Sequence, residues 1–491
     1  MSKPSKEAFS CRDDDPWRYS LLWKLAMFGI VLVFATLAVV LVFVEKVVYP
    51  VTIYTGSLVL IDPHVPFGNE ILKPCQIASW NNKTTYSIPY ESLHRKWAEK
   101  RKQDFSNLKG AELRVVSAFV YEHEIVVTTT AQNRYGKPVH CRYFDCNRQE
   151  LPNSTWETFM FPLTAAYCAR RAGAMFMSLT DSPNGLVTEP VPLTVRVQEK
   201  YTHEVAVCVG PVYGNESRWL EIAETTEHHL LIGATYFYYT IFNKMNEYTR
   251  KLVDEYERLG YFEVTVIQNE YETMNWMSHL IQINDCHFRS RYHSKWVLNF
   301  DIDERLVMLK TPLLPFLNSL SSNVGEILIS TKRVMRLDPL PQKYKGKDQL
   351  LKDLEFRKYN MTQRIMWDVP KVIFRPEKVQ AMFYHWSFAQ YPGVQVLTLP
   401  KQDAYIRHYR TTMVSLHGIW YIGQDFNITN MDPKLEEKVT LAVIKRLESV
   451  YNQRKIRCEE IRSNLIGLFS KDMYDCVWRN GKMYRDVAKG D

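Results

Sequence analysis

Distinct hydrophobic textures follow one another along the chain. Leu25 to Val44 is a continuous apolar run interrupted only by Gly29 and Thr36. At about 1.5 Å per residue it makes a helix of about 30 Å, the thickness of a bilayer core. Pro50, Pro63 and Pro66 then mark a short stem with few helix signals. Between about Cys75 and Val197 the apolar residues fall in β-type runs, Leu113–Tyr121 and Glu124–Thr130 among them. From Tyr201 strands and helices alternate. Glu204–Gly210 reads as a strand, and Glu216 to Leu231 carries Trp219, Leu220, Ala223, Leu230 and Leu231 at helical spacing with Gly233 as a stop. A strand at Thr235–Phe242, a helix at Tyr248–Leu259, a strand at Phe262–Ile267 and a helix at Asn275–Arg289 follow. The apolar strand Trp296–Asp301 comes next. This alternation predicts a parallel, doubly wound α/β sheet.

Beyond it, Gly325–Ser330 is a further strand, and Lys343–Lys358 reads as a loop with a helical turn. Lys371–Pro376 and Val379–His385 look like two strands paired with each other. Asp432-Pro433 opens a helix with Leu435, Val439, Val443, Leu447 and Val450 on one face.

Charge gives the apolar run an orientation. Lys3, Lys6, Arg12, Arg18 and Lys24 precede it, and only Lys46 follows before Lys73. The excess of positive charge on the N-terminal side predicts a cytosolic tail (1–20), a retained signal anchor (21–44) and everything later outside the cytosol, a single-pass type II topology in the lipid bilayer. Asn82, Asn153, Asn215, Asn360 and Asn427 lie in glycosylation sequons on that side, with Asn215 expected to be unused. Of nine cysteines, eight follow the anchor, an even number that suits disulfides in an oxidising compartment, with the pairing open. The net charge of +8 is dispersed and no nucleic-acid motif accompanies it, so nucleic acid is not an expected partner.

The stretch with chemical content is Trp296-Val-Leu-Asn-Phe-Asp301-Ile-Asp303-Glu304. Residues i and i+2 of a strand share a side, so Asp301 and Asp303 would face one divalent cation at the carboxyl end of the sheet. A solvated acidic turn is the plainer alternative. Oxygen-rich ligation suits Mn²⁺ or Mg²⁺, and an imidazole shifts the choice towards Mn²⁺. His385 and His408 are the downstream imidazoles. Lys371 and Arg375 would share a strand face and meet a diphosphate. Asp338 and Asp368 are candidates for a general base. A phosphatase built on a similar Asp-x-Asp motif fits less well, because Arg305 stands where its motif continues differently and three strands come first.

Four segments together resemble glycosyltransferase family 92. They are Val207–Leu220, Glu227–Tyr238, Asn284-Asp-Cys286 with Lys295–Glu304, and Lys371–Pro376 with later His385 and Arg407–Arg410. They span about residues 202 to 430. The resemblance implies type II Golgi membrane enzymes with a GT-A fold, a Rossmann-like mostly parallel sheet, that use a nucleotide-sugar donor. It includes members that transfer galactose to the core fucose of N-glycans. On that basis Asp301, Asp303 and one of His385 or His408 would hold Mn²⁺ (or Mg²⁺). Gly210, Tyr213, Glu216 and Asn243 would line the donor pocket with Lys371 and Arg375. With the pattern of the rest of the chain, the expected plan is a stem (45–70), an N-terminal luminal β-containing domain (71–200), a catalytic domain (201–430) and a C-terminal helical segment (431–491). The implied reaction moves a hexose, galactose from UDP-galactose, onto a glycan acceptor on an N-glycan or glycolipid. The alternative is a catalytically silent, membrane-anchored binding or adhesion protein of the same fold.

Overall fold

The computed structural model of the protein describes residues 75–100, 113–131, 134–162, 164–212, 216–242, 245–267, 276–363, 367–411, 426–452, 476–479 and 482–485. The expected tail, anchor and stem, with Tyr213, Asn215 and Asn243, lie outside these residues, as does the side chain of Asp368. Among the described residues no helix is long and apolar enough to cross a membrane. Pro74–Asp491 forms one compact unit with a mixed α/β fold built on two large sheets.

The first sheet has seven strands: β1 (Val115–Val120), β2 (Ile125–Thr129), β3 (Pro138–Phe144), β4 (Trp156–Phe159), β5 (Ala165–Cys168), β6 (Phe176–Thr180) and β7 (Val191–Val195). Their order is β4-β3-β6-β7-β1-β2-β5. Val120, Val127, Tyr143 and Leu179 pack one core, and Cys141–Cys168 lies inside it. Cys75–Cys146 ties the preceding segment to the same sheet.

The second sheet begins with β8 (His203–Val212), β9 (Tyr236–Phe242), β10 (Phe262–Ile267) and β11 (Ser294–Asp301). All pair in parallel, in the order β10-β9-β8-β11. The Val-Ala-Val-Cys-Val run of β8 is buried throughout, because helices and loops cover both faces of a parallel sheet. The helix Trp219–Ile232 ends at Gly233, whose φ of 116° closes the turn back into β9. Asn246 caps the helix Glu247–Arg258 by accepting from the Thr249 amide at 3.0 Å. The chain moves outward from β8 to β10, then crosses back and lays β11 on the other side of β8. The strand order therefore reverses between β8 and β11, where an open α/β sheet leaves a crevice at its carboxyl ends.

The other half departs from the parallel expectation. It contains β12 (Glu304–Met308), β13 (Val324–Arg336), β14 (Met361–Gln363), β15 (Trp367–Phe374), β16 (Val379–Met382), β17 (Ser387–Gln390), β18 (Gln395–Thr398), β19 (Ala404–Thr411) and β20 (Phe426–Ile428). β15 enters the sheet antiparallel to both β11 and β13 and does not pair with the strand that follows it. β16 pairs instead with β17 as a separate hairpin. Pro376 lacks an amide hydrogen and sits at the break, so the chain leaves the sheet there. The segment 343–358 holds two short helices, Lys347–Asp353 and Glu355–Lys358. The helix Pro433–Tyr451 starts where Asp432 accepts from the Leu435 amide at 2.9 Å, and packs Val439, Val443 and Leu447 into the core.

The helix Trp276–Ser290 joins the two sheets, and each residue of its Asn284-Asp285-Cys286 motif has a separate task. Cys286 is disulfide-bonded to Cys208 of β8. Asp285 accepts from Thr128 of the first sheet at 2.8 Å and from Thr265 of the second at 3.1 Å. Asn284 reaches the backbone of Met382 at the end of β16, donating at 3.1 Å and accepting at 3.2 Å.

Candidate active site

β11 delivers Asp301 to the crevice opposite Gly210, its register partner on β8. Gly210 has no room for a side chain. A Cβ there would lie 1.9 Å from Oε1 of the buried Gln282, whose Nε2 donates to the Val209 carbonyl at 2.8 Å. Gly210→Ala is therefore expected to cost about 1–3 kcal/mol, because Gln282 must give up that bond to make space. Chemical denaturation of the single variant and of Gly210→Ala with Gln282→Ala checks this. A double variant no more stable than the single one would refute the clash.

The i, i+2 expectation does not hold past Asp301. The strand ends there, Ile302 and Asp303 form a turn, and Glu304 starts β12. The turn brings Glu304 back beside Asp301, whose amide donates to Glu304 Oε2 at 2.8 Å. β19 places His408 directly opposite Glu304. One ligand atom each from Asp301, Glu304 and His408 lies within 4.8 Å of the others. Asp303 stands at the edge of this group, 3.4 Å from His408 Nε2, while His408 Nδ1 is 3.4 Å from Glu304 Oε1. Glu304 Oε1 and His408 Nε2 are buried and make no well-formed hydrogen bond, their polar neighbours His408 Nδ1 and Asp303 Oδ2 standing off at 3.4 Å. A carboxylate oxygen and an imidazole nitrogen so placed in one acidic group fit a divalent cation with mixed oxygen and nitrogen ligation.

Lys371 supplies positive charge from β15, 2.8 Å from Asp301 Oδ2 and 3.2 Å from Glu304 Oε2. Burial alone would lower its pKa, but the two carboxylates hold it above the usual lysine range. Burial pushes Glu304 up to about 7, against the pull of Lys371. Asp301 and Asp303 are also desolvated, yet Lys371 holds the first, and His408 the second, below the ordinary carboxylate value. The site thus keeps ionised aspartates at neutral pH. His279, on the helix Trp276–Ser290, stands 3.7 Å from Asp301 and is held down to about 4 by burial and the Lys371 charge, so it is neutral. Nothing in the sequence pattern singles it out.

The other expected residues divide. His385 is near the group without joining it. Its Nδ1 donates to the Pro370 carbonyl at 3.0 Å, and burial with the nearby Lys371 charge holds it down to about 4. Arg375 is a correction. β15 runs antiparallel to β11, so Arg375 falls past the strand's far end, lies over the Trp296 ring at 4.4 Å and donates to the Ser322 carbonyl at 2.8 Å. It cannot meet a ligand held at Asp301. Glu216 is 70% exposed and paired with Arg218 at 2.5 Å. Asp338 is also set apart: it is 55% exposed, and Lys358 at 2.7 Å pulls its carboxyl below the usual range. Among the sequons, Asn82, Asn153 and Asn427 are exposed and Asn360 is half-buried, donating to Asn430 at 3.0 Å.

Behind the turn, Arg305 is fully buried and donates to the Ile302 carbonyl at 2.7 Å, with Thr225 donating to the same oxygen. Its other face meets Glu224 and Glu355, each at 3.8 Å. Arg336 bridges Glu355 at 2.8 Å and Glu221 at 2.5 Å. Arg305 thus places a cation inside a buried acidic cluster.

An acidic, imidazole-bearing group at the switch point of an α/β sheet is the layout of an enzyme that takes a phosphorylated or nucleotide ligand. The sequence profile of glycosyltransferase family 92 matches residues 203–453, from the first residue of β8 to just past the helix Pro433–Tyr451. The chain belongs to glycosyltransferase family 92 and is a glycosyltransferase by that membership. It is also similar to galactan beta-1,4-galactosyltransferase GALS1 of Arabidopsis thaliana, 27% identical over 143 residues, which are 28% of this chain and 27% of that protein. The match thus spans about a quarter of that relative's length. Among solved structures, GalNAc-T7 with UDP, GalNAc and Mn²⁺ shares 12% identity over 44% of this chain and 45% of its own, with a TM-score of 0.25. HddC from Yersinia pseudotuberculosis shares 10% identity over 48% of this chain and 97% of its own, with a TM-score of 0.22. Likenesses this loose carry no argument about fold or function.

Proposed function

We propose that the chain is a metal-dependent galactosyltransferase of GT-A type that moves galactose from UDP-galactose to a glycan acceptor. The observation that carries this reading is the buried Asp301–Glu304–His408 group at the switch point, whose oxygen and nitrogen ligand atoms lie within 4.8 Å of one another. Family membership supports glycosyl transfer, and the galactan galactosyltransferase relative supports galactose. Asp301, Glu304 and His408 would hold Mn²⁺, with Asp303 beside them, and the metal would supply charge stabilisation for a leaving diphosphate. Lys371 places an ammonium against the same group and neutralises oxygens that gain charge as the glycosidic bond breaks. Cys75–Cys146, Cys141–Cys168 and Cys208–Cys286, with the exposed sequons, support a secretory, Golgi-luminal setting behind the Leu25–Val44 anchor.

The test is the thermal stability of the full-length chain against a panel of UDP-sugars. UDP-galactose with Mn²⁺ at a hundredfold excess over Kd should stabilise the fold by about 2.7 kcal/mol. Chelation should abolish both this response and transfer. A chain that answers to no UDP-sugar with Mn²⁺ would be the silent binder instead.

A further inference from the structure

The hairpin beside the metal group carries a second feature that this reading leaves unused. Between β16 and β17 the turn reads Phe383-Tyr384-His385-Trp386, closed by Phe383 N–H donating to the Trp386 carbonyl at 2.8 Å. Trp219 and Trp296 are fully buried, whereas Trp386 is 45% exposed and alone among the described tryptophans stands out into solvent. An exposed indole is a large apolar surface kept in water.

The surroundings hold that indole in place. Glu326 is fully buried and spends its carboxylate on the hairpin: it accepts from Ser387 N at 2.8 Å, Ser387 Oγ at 2.5 Å and Gln390 Nε2 at 2.7 Å. Burying a carboxylate is costly unless its bonds are made, so this is an expensive way to fix a surface turn. Asn284 pins the other arm through Met382. The turn also faces the reaction centre, since the Tyr384 ring lies 4.8 Å from His279, which is 3.7 Å from Asp301. On the glycosyl-transfer reading the nucleotide takes the β8 side of the crevice, at Gly210. The hairpin lies on the opposite, β15 side, where His385 bonds Pro370.

We infer that Trp386 is the acceptor platform: its indole stacks on the C–H face of the pyranose that receives the transferred sugar. Pyranosides of the galactose and fucose type present such a face, and an aromatic plane desolvates it while leaving the hydroxyls free to bond elsewhere. The rigid hairpin then sets the distance between the acceptor hydroxyl and the donor carbon. The inference rests on the glycosyl-transfer reading above and can be tested apart from it.

Saturation-transfer NMR on the full-length chain, with UDP and Mn²⁺ present, would follow methyl β-D-galactopyranoside and methyl α-L-fucopyranoside. Trp386→Ala should weaken binding of one of them about tenfold, and Trp386→Phe should keep it within about threefold, as loss and retention of an aromatic contact demand. The thermal response to UDP with Mn²⁺ should be the same in all three proteins. Unchanged pyranoside binding in Trp386→Ala would overturn the inference. So would the absence of pyranoside signal in the wild type, or a loss confined to UDP, which would make Trp386 a base-stacking residue. A pyranoside effect without any UDP response would leave the platform standing and remove the donor reading.

Discussion

Asp301→Asn should lower turnover by about a thousandfold, the scale of losing a group that stabilises developing charge. The substitution keeps the shape and removes the charge. Lys371 retains Glu304 at 3.2 Å, so the fold should survive nearly intact. What goes is one carboxylate from the Asp301–Glu304–His408 group. Asp303→Asn should act in the same direction by releasing His408, which it faces at 3.4 Å. Initial-rate measurements over a Mn²⁺ series would separate the effects. Lost metal affinity raises the Mn²⁺ concentration needed, while lost charge stabilisation persists at saturation. Asp301→Asn within tenfold of wild type at saturating Mn²⁺ would remove Asp301 from the site.

Arg305→Met should have the largest effect on stability, about 3–5 kcal/mol, because it leaves the buried Glu224 without its cation and Glu355 with Arg336 alone. Glu224 and Glu355 are fully buried, and burial already pushes Glu355 up to about 7. Met occupies a similar volume, so lost packing is a minor part of the cost. Adding Glu224→Gln should restore a part of the loss by removing the stranded charge. Equilibrium denaturation of the two variants would show this. A single variant within 1 kcal/mol of wild type would mean the cluster is not the internal support of the Ile302–Asp303 turn, which Arg305 otherwise holds through the Ile302 carbonyl.

The nucleotide half of the fold was legible in the sequence because its signals are local. Period, helix stops and buried apolar runs fixed β8 to β11 and the helices between them to within a few residues. The other half was not, since Lys371–Phe374 pairs with β11 and β13, strands far from it in sequence, and nothing in its own pattern shows that choice. The same antiparallel insertion carries Arg375 away from the site and leaves Lys371 in it. Asp301 was readable from its strand. Glu304 was not, because its place depends on a two-residue turn that an alternation rule cannot anticipate. His408 reaches the group through the pairing of β12 with β19, a hundred residues apart, and His279 through the packing of a helix.

The bond between Cys208 and Cys286 closes a ring of chain with a sequence separation of 78 residues. Inside that ring lie β9, β10 and the helices that pack on them, and the β11 carboxylates begin just outside it. The parallel half of the sheet is therefore a covalent loop whose clasp sits between β8 and the helix that carries Asn284 and His279. A cell that keeps thiols reduced would leave the clasp open, and the helix would then be held to β8 by packing and the Gln282–Val209 bond without a covalent tie. The oxidising state of the surroundings thus becomes part of what holds His279 beside Asp301.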